Sequence, residues 1–293
     1  MPTARTVKAE VSRRLTQTGG GPPIVESFRE ALQRRGRHFL SHPILWSRYL
    51  WRHEVLHRED KFGDNPRHRD WTTVYRVSRG ALARLLGVSL GELDGFANEL
   101  EALHQEWFPE VAELPTAGAL TQAPLLYLAV RARKPDRLVE TGVSSGLSSR
   151  LLLEALDRNR LGHLYSVGED RLALGSSSGS GGSALDARSA GWLVPDRLRS
   201  RWTLTLGKTE EVFPSLWSKI PGSLGLFLHD SRHDYATMSF EYGEGWTHLA
   251  SGGILFSHDI HSTRAWPDFL REHQLTHDEE LDHDLGGVMR PAG

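Results

Sequence analysis

The chain contains no cysteine. That excludes disulfides, thiolate zinc sites, iron–sulfur clusters and a cysteine nucleophile, and it leaves the redox compartment unreadable from thiols. Charge of one sign is also lacking: 35 Lys and Arg stand against 37 Asp and Glu, a formal net charge of −2. Nothing here suggests a protein whose main task is neutralising nucleic-acid phosphates. Lysine is scarce, with five of the 35 cations (Lys8, Lys61, Lys134, Lys208 and Lys219), and this skew toward arginine is given no functional weight. Long apolar runs are missing too. Leu125 to Val130 is typical, far short of the roughly 20 residues a membrane-spanning helix needs. The first 26 residues are polar and basic without an apolar h-region, so no secretory signal is expected and a cytoplasmic location is the default.

What is present suffices for an ordinary core. The chain has 293 residues, 39% hydrophobic and 25% charged, which allows one large domain or two modest ones without staples. Residues 1–26 end in Gly19-Gly20-Gly21-Pro22-Pro23 and are expected to form a flexible arm. Residues 27–118 carry apolar side chains at helical spacings, such as Leu32, Phe39, Leu40, Ile44, Leu45 and Leu50, with an interruption around Gly63–Pro66. They are expected to form a helical cap, serving substrate binding or dimerisation. Ser89 followed by Glu92 has the spacing of a capping box ahead of Leu93 and Phe96.

After Pro135 the pattern changes. Short aliphatic runs (137–143, 163–167, 202–206, 224–229 and 253–257) alternate with helical stretches (148–160, 209–220, 235–250 and 262–274). Strands separated by helices of this length pair in parallel through right-handed crossovers. The expected fold class is therefore α/β, a doubly wound sheet with helices on both faces, over residues 119–293. A Gly/Ser-rich stretch, 175–183, interrupts it within a 170–195 loop expected to be mobile, whether native or engineered. Ligands in such folds bind at the carboxyl ends of the strands.

The first strand runs into Glu140-Thr141-Gly142-Val143-Ser144-Ser145-Gly146, and a helix follows. A glycine loop opening a helix points to a nucleotide-like ligand at the helix start. Its Gly-x-x-x-Gly spacing differs from the dinucleotide Gly-x-Gly-x-x-Gly. An acid in the turn would repel a pyrophosphate but suit a cationic ligand, unless it serves only to cap the turn. Beyond the fourth strand lie His229, Asp230, His233 and Asp234; beyond the fifth lie His258, Asp259 and His261. The two strand ends are neighbours in a doubly wound sheet, so these groups converge on one crevice as a candidate catalytic or metal site.

Residues 139–146, together with 227–235, 249–259 and 285–290, resemble the motifs of class I S-adenosylmethionine-dependent methyltransferases. They are most similar to the small-molecule O-methyltransferase branch that includes the cephalosporin-hydroxylase-like and macrolide-sugar enzymes. The resemblance spans roughly residues 119–293 and implies a Rossmann-like methyltransferase sheet and S-adenosylmethionine as methyl donor. It implies an acceptor hydroxyl on a small molecule, a secondary metabolite or a sugar, with neither nucleic acid nor membrane as partner; a homo-oligomer is compatible. Carried over residue by residue, it places Glu140, Gly142, Ser144 and Gly146 around the methionine part of the cofactor, with Asp230 nearby. In such enzymes an acid ending the second strand binds the ribose hydroxyls; here that position is Gly168, which leaves Glu169 as substitute and Asp170 next. Lys208 stands where relatives often have an acid near the adenine, and reads as a solvated helix-start residue.

Two mechanisms fit the crevice. In one, Asp230 and Asp259, with His258, hold a divalent cation, as some relatives hold Mg²⁺ with acids at matching positions; a large imidazole share would favour other metals. In the other, His233 or His261 takes the hydroxyl proton, with Asp230 beside it. Arg232 occupies a position where relatives often carry a second acid. Trp46, Trp51, Trp71, Trp107 and Trp192 are candidates for an acceptor pocket or for core, and His53, Arg58 and Arg67 for the same region or a solvated face. A non-methylating or redox-metal activity on the same fold, and a non-catalytic partner role, are the competing functions.

Overall fold

The computed structural model describes residues 71–111, 119–169, 189–282 and 284–291. The flexible-arm expectation for 1–26, most of the Gly/Ser-rich loop, and Trp46, Trp51, His53, Arg58, Arg67, the Trp107 side chain and Asp170 lie outside the described residues. Helices α1 (Trp71–Leu86), α2 (Leu90–Val111) and α3 (Ala119–Arg133) precede the alternating part. There β1 (Arg137–Thr141), α4 (Leu147–Asn159), β2 (His163–Gly168), β3 (Trp202–Leu206), α5 (Thr209–Trp217) and β4 (Leu224–His229) follow in turn. The chain continues through α6 (Tyr235–His248), β5 (Leu249–Ser257), α7 (Ala265–Glu272), β6 (Asp278–Asp282) and β7 (Leu285–Met289).

The strands form one sheet in the order β3-β2-β1-β4-β5-β7-β6. Pairs from β3 to β5 are parallel, and β7 runs antiparallel to both β5 and β6. Order reverses between β1 and β4, which makes the carboxyl ends of those two strands the crevice. Central strands are apolar on both sides, as a covered parallel sheet requires. Leu138, Leu226, Leu228, Ile254 and Phe256 enter one core with α1 to α4. Val139, Phe227 and Leu255 enter the other with α5 to α7.

In α1, Trp71, Tyr75, Ser78, Leu82 and Leu86 form one buried stripe, while Val77 on the opposite side is exposed. The helix packs on α3, β6 and β7. Ser89 caps α2 by accepting the Glu92 N–H at 3.2 Å, half of the capping box read from the sequence. Residues 122–130 of α3 are buried without a break, so this helix lies inside the layer formed with α1, α2 and α4.

Strand β6 was not expected. Its sequence, Asp278-Glu279-Glu280-Leu281-Asp282, has one apolar side chain, and its hydrogen-bonding comes from pairing at the sheet edge with β7. Acidic side chains on an edge strand discourage further pairing there.

Candidate functional site

The turn between β1 and α4 is shaped by two glycines. Gly142, at φ +81°, donates its N–H to Val167 O at 2.8 Å, and a Cβ on it would come within 1.9 Å of the Asp230 carbonyl oxygen. The glycine therefore brings the loop directly against the end of β4. Gly146, at φ +87°, is the N-cap of α4 and supplies no side-chain cap to the first N–H groups of that helix. Ser144 between them has φ +45°. Its carbonyl and that of Ser145 accept from Gly191 and Leu193 N–H, each at 3.0 Å, which lays the segment after residue 189 over the loop.

Glu140 points inward. Register sets it beside Ser166, and its carboxylate accepts from Ser148 Oγ (2.5 Å), Ser149 Oγ (2.6 Å) and Ser166 Oγ (2.7 Å). Burial pushes its carboxyl up to about 7 despite these three donors. The side chain joins β1, the start of α4 and β2, so it holds the loop's shape.

At the end of β2 a Cβ on Gly168 would meet the Val143 side chain at 3.1 Å. The glycine thus allows the close approach of Val143 to the end of β2. Glu169, next in sequence, lies 3.6 Å from Arg232, whose other contact is Glu210 at 2.7 Å. Arg232 in this way links the ends of β2 and β4 to the first turn of α5. Lys208 is the exposed N-cap of α5, a solvated helix start as read from the sequence.

The His/Asp residues at the ends of β4 and β5 come together. The His258 N–H bonds to His229 O at 2.9 Å and ties the strand ends; Asp259 follows at φ +52°, a conformation Asp tolerates. His258 Nδ1 lies 2.7 Å, and His233 Nε2 3.7 Å, from Asp230 Oδ1. His233 Nδ1 lies 2.8 Å from Asp259 Oδ2, and His258 Nε2 3.8 Å from Asp259 Oδ1. Burial opposes charge on His233, but Asp230 and Asp259 outweigh it and lift the ring to about 9. His258 is raised against burial by Asp230 and Asp259. Asp230, despite burial, is held below the usual carboxylate range by the two imidazoles, and Asp259 by His233 first and His258 next. Among the described residues, Asp230, His233 and His258 offer ligand atoms that all lie within 4.8 Å of one another. His261 stands apart, 3.5 Å from Glu280 on β6.

Behind this group is a buried hub that the sequence reading missed. Glu241 of α6 faces His229 Nδ1 at 2.6 Å and accepts from Thr141 Oγ1 (2.5 Å), Ser231 Oγ (2.7 Å) and Thr209 Oγ1 (2.8 Å). Both His229 and Glu241 side chains are wholly buried. His229 and the three hydroxyls hold Glu241 below its ordinary range although burial opposes this. The signal was present: Glu241 falls on the buried stripe of α6 with Thr237, Met238, Tyr242, Gly245 and Trp246, where a carboxylate must have partners. Asp234 is the N-cap of α6, bonded to Thr237 N at 3.0 Å and Oγ1 at 2.8 Å. Trp71 is core, and Trp192 packs against the same cluster.

A family model described as "Methyltransferase domain" matches residues 139–260. No curated protein matches the chain. Among solved structures, the chain is similar to the O-methyltransferase from Bacillus cereus in complex with SAH, at 14% identity over 75% of this chain and 100% of that one, with a TM-score of 0.44. It is similar to the SAH-bound methyltransferase PaMTH1 of Podospora anserina, at 13% identity over 66% and 88%, with a TM-score of 0.45. It is also similar to the O-methyltransferase TomG from Streptomyces achromogenes, involved in tomaymycin synthesis and in complex with SAM, at 15% identity over 76% and 100%, with a TM-score of 0.43. The stretch 139–260 that this methyltransferase-domain model matches holds the glycine loop and the order reversal of the 3-2-1-4-5-7-6 sheet.

Proposed function

We propose that this protein is an S-adenosylmethionine-dependent O-methyltransferase acting on a hydroxyl of a small molecule, a secondary metabolite or sugar. The observation that carries the reading is the contact between the glycine loop and the His/Asp group: Gly142 rests against the backbone of Asp230. A donor held by the loop therefore lies beside groups able to handle a hydroxyl proton. The methyl donor, when bound, supplies an activated methyl on a sulfonium. The chain must orient the acceptor oxygen in line with it and exclude water.

The roles divide as follows. Gly142, Ser144 and Gly146 shape the turn that receives the methionine end, and Glu140 keeps that turn in place through its three serines. Glu169 is the carboxylate nearest the end of β2 and is assigned the ribose hydroxyls. Asp230 and His233 face the acceptor; with no cation bound, His233 takes the hydroxyl proton in its neutral form, the minority form below about pH 9, and His258 and Asp259 complete the charge balance; His261 is left the outer rim of the crevice, beside β6. A divalent cation held in this crevice by Asp230 and His258 would instead supply Lewis acidity to the same hydroxyl.

The reading is supported by the methyltransferase-domain match and by the contact of the loop with the end of β4; Gly168 allows a close approach of Val143, and Lys208 is solvated. Among the described residues no helix is long and apolar enough to cross a membrane. Calorimetric titration of the full chain with S-adenosylmethionine and with its demethylated product tests the proposal. Binding of both in the micromolar range is expected, and heat from neither would overturn it.

A further inference from the structure

The donor atoms in the crevice are not those of an all-oxygen cation site. His233 Nε2 and His258 Nδ1 are both buried, and neither has a hydrogen-bond partner. The 2.7 Å approach of His258 Nδ1 to Asp230 Oδ1 lies off the line of a ring N–H. Both orphaned nitrogens face the same carboxylate oxygen, at 2.7 and 3.7 Å, and the three atoms form a group no wider than 4.8 Å. Two ligands bound at roughly 2.0–2.2 Å to one ion lie about 3–4 Å apart, so small adjustments bring all three onto one coordination sphere.

Asp259 completes the pattern from the other side. Its two oxygens face the outer nitrogens of the same rings, His233 Nδ1 at 2.8 Å and His258 Nε2 at 3.8 Å. A carboxylate on the far nitrogen of a metal-bound histidine sets its tautomer and its orientation. With N–H turned toward Asp259, each ring leaves its lone pair on the nitrogen that faces Asp230.

We propose that Asp230 Oδ1, His233 Nε2 and His258 Nδ1 form a two-histidine, one-carboxylate site for a divalent transition metal, with Asp259 orienting the rings and contributing no ligand atom. Imidazole donors suit zinc, iron, cobalt or nickel, whereas Mg²⁺ prefers carboxylate and water oxygens. The inference rests on the proposed function for what the cation does, and on the donor set for its binding. One consequence is specific: His233 Nε2 cannot hold a cation and accept the acceptor's proton at once, so the metal and His233-base readings exclude each other.

The test uses the full chain, stripped with a chelator and titrated with Co²⁺, Zn²⁺ and Mg²⁺ separately. One Co²⁺ or Zn²⁺ per chain is expected, with visible absorption bands of nitrogen-ligated Co²⁺ and no displacement by millimolar Mg²⁺. His233→Ala and His258→Ala should each weaken Co²⁺ by about 100-fold or more, and Asp259→Asn by about 10- to 100-fold with the spectrum retained. His233→Gln and His258→Gln serve if an alanine variant does not fold, and the wild-type spectrum depends on no variant. Mg²⁺ binding as tightly as Co²⁺, absence of the nitrogen-ligated bands, or histidine variants with wild-type Co²⁺ affinity would each overturn the site. Titration with the demethylated cofactor separates the two proposals. Its binding without Co²⁺ binding removes the metal site alone, and the reverse removes the methyltransferase reading alone.

Discussion

Glu140→Gln isolates the energetic cost of an acid buried beneath the glycine loop. Burial lifts this carboxyl from an ordinary 4.5 to about 7. At 1.36 kcal/mol per unit the difference amounts to about 3 kcal/mol, a large part of the ~5–15 kcal/mol that holds a domain together. The sign follows from proton binding. Between roughly pH 4.5 and 7 the native state holds a proton that the unfolded state has released, so this group's contribution is fully present below about 4.5 and lost as pH rises through about 7. Gln keeps the shape and the means to bond Ser148, Ser149 and Ser166, but it cannot ionise. Urea unfolding of both proteins at intervals from pH 5 to 8.5 is the assay, read as the difference in stability so that the titrating histidines cancel. The variant should be close to wild type near pH 5 and gain up to about 3 kcal/mol on it by pH 8.5. A difference that stays constant across this range would refute the reasoning, because it would mean that Glu140 carries its charge at no cost beneath the loop.

Three further outcomes are expected. Gly142→Ala places a Cβ on the Asp230 carbonyl and forces a residue with a side chain to φ +81°; stability should fall by about 2–4 kcal/mol and affinity for the demethylated cofactor should drop, and a calorimetric affinity equal to wild type would argue against the loop as its seat. Glu241→Leu leaves His229 and three hydroxyls without their acceptor and should cost about 3–5 kcal/mol in urea, whereas a loss under about 1 kcal/mol would deny the hub its structural part. Arg232→Ala breaks only exposed or half-exposed ion pairs to Glu169 and Glu210, so stability should move by less than about 1 kcal/mol; cofactor affinity should hold or rise as Glu169 is freed for the ribose, and a tenfold loss would assign the contact to Arg232 instead.

Much of the α/β part was legible because its signals are local. β3 (Trp202–Leu206) and β4 (Leu224–His229) have the ends the apolar runs implied, and the glycine loop has the positive φ values its sequence called for at Gly142 and Gly146. β6 was invisible because four of its five side chains are acidic and its strand state comes from pairing with β7. Gathering His233, Asp230, His258 and Asp259 in one crevice followed from knowing that β4 and β5 are neighbours. Their division of labour did not, since it depends on which ring nitrogen faces which carboxylate.

Glu140 is the clearest case of the divide. Local chain chemistry determined that an acid would stand at the turn between a strand and a glycine loop, and it determined the order of strands and helices around it. Only the tertiary structure decided that the carboxylate would turn inward to Ser148, Ser149 and Ser166, and that the hydroxyl of the next residue, Thr141, would donate to Glu241, 100 residues further along the chain. The physical reason is that periodicity and turn chemistry act over a few residues, while a buried charge takes whichever donors the sheet register and the helix packing bring within about 3 Å of it.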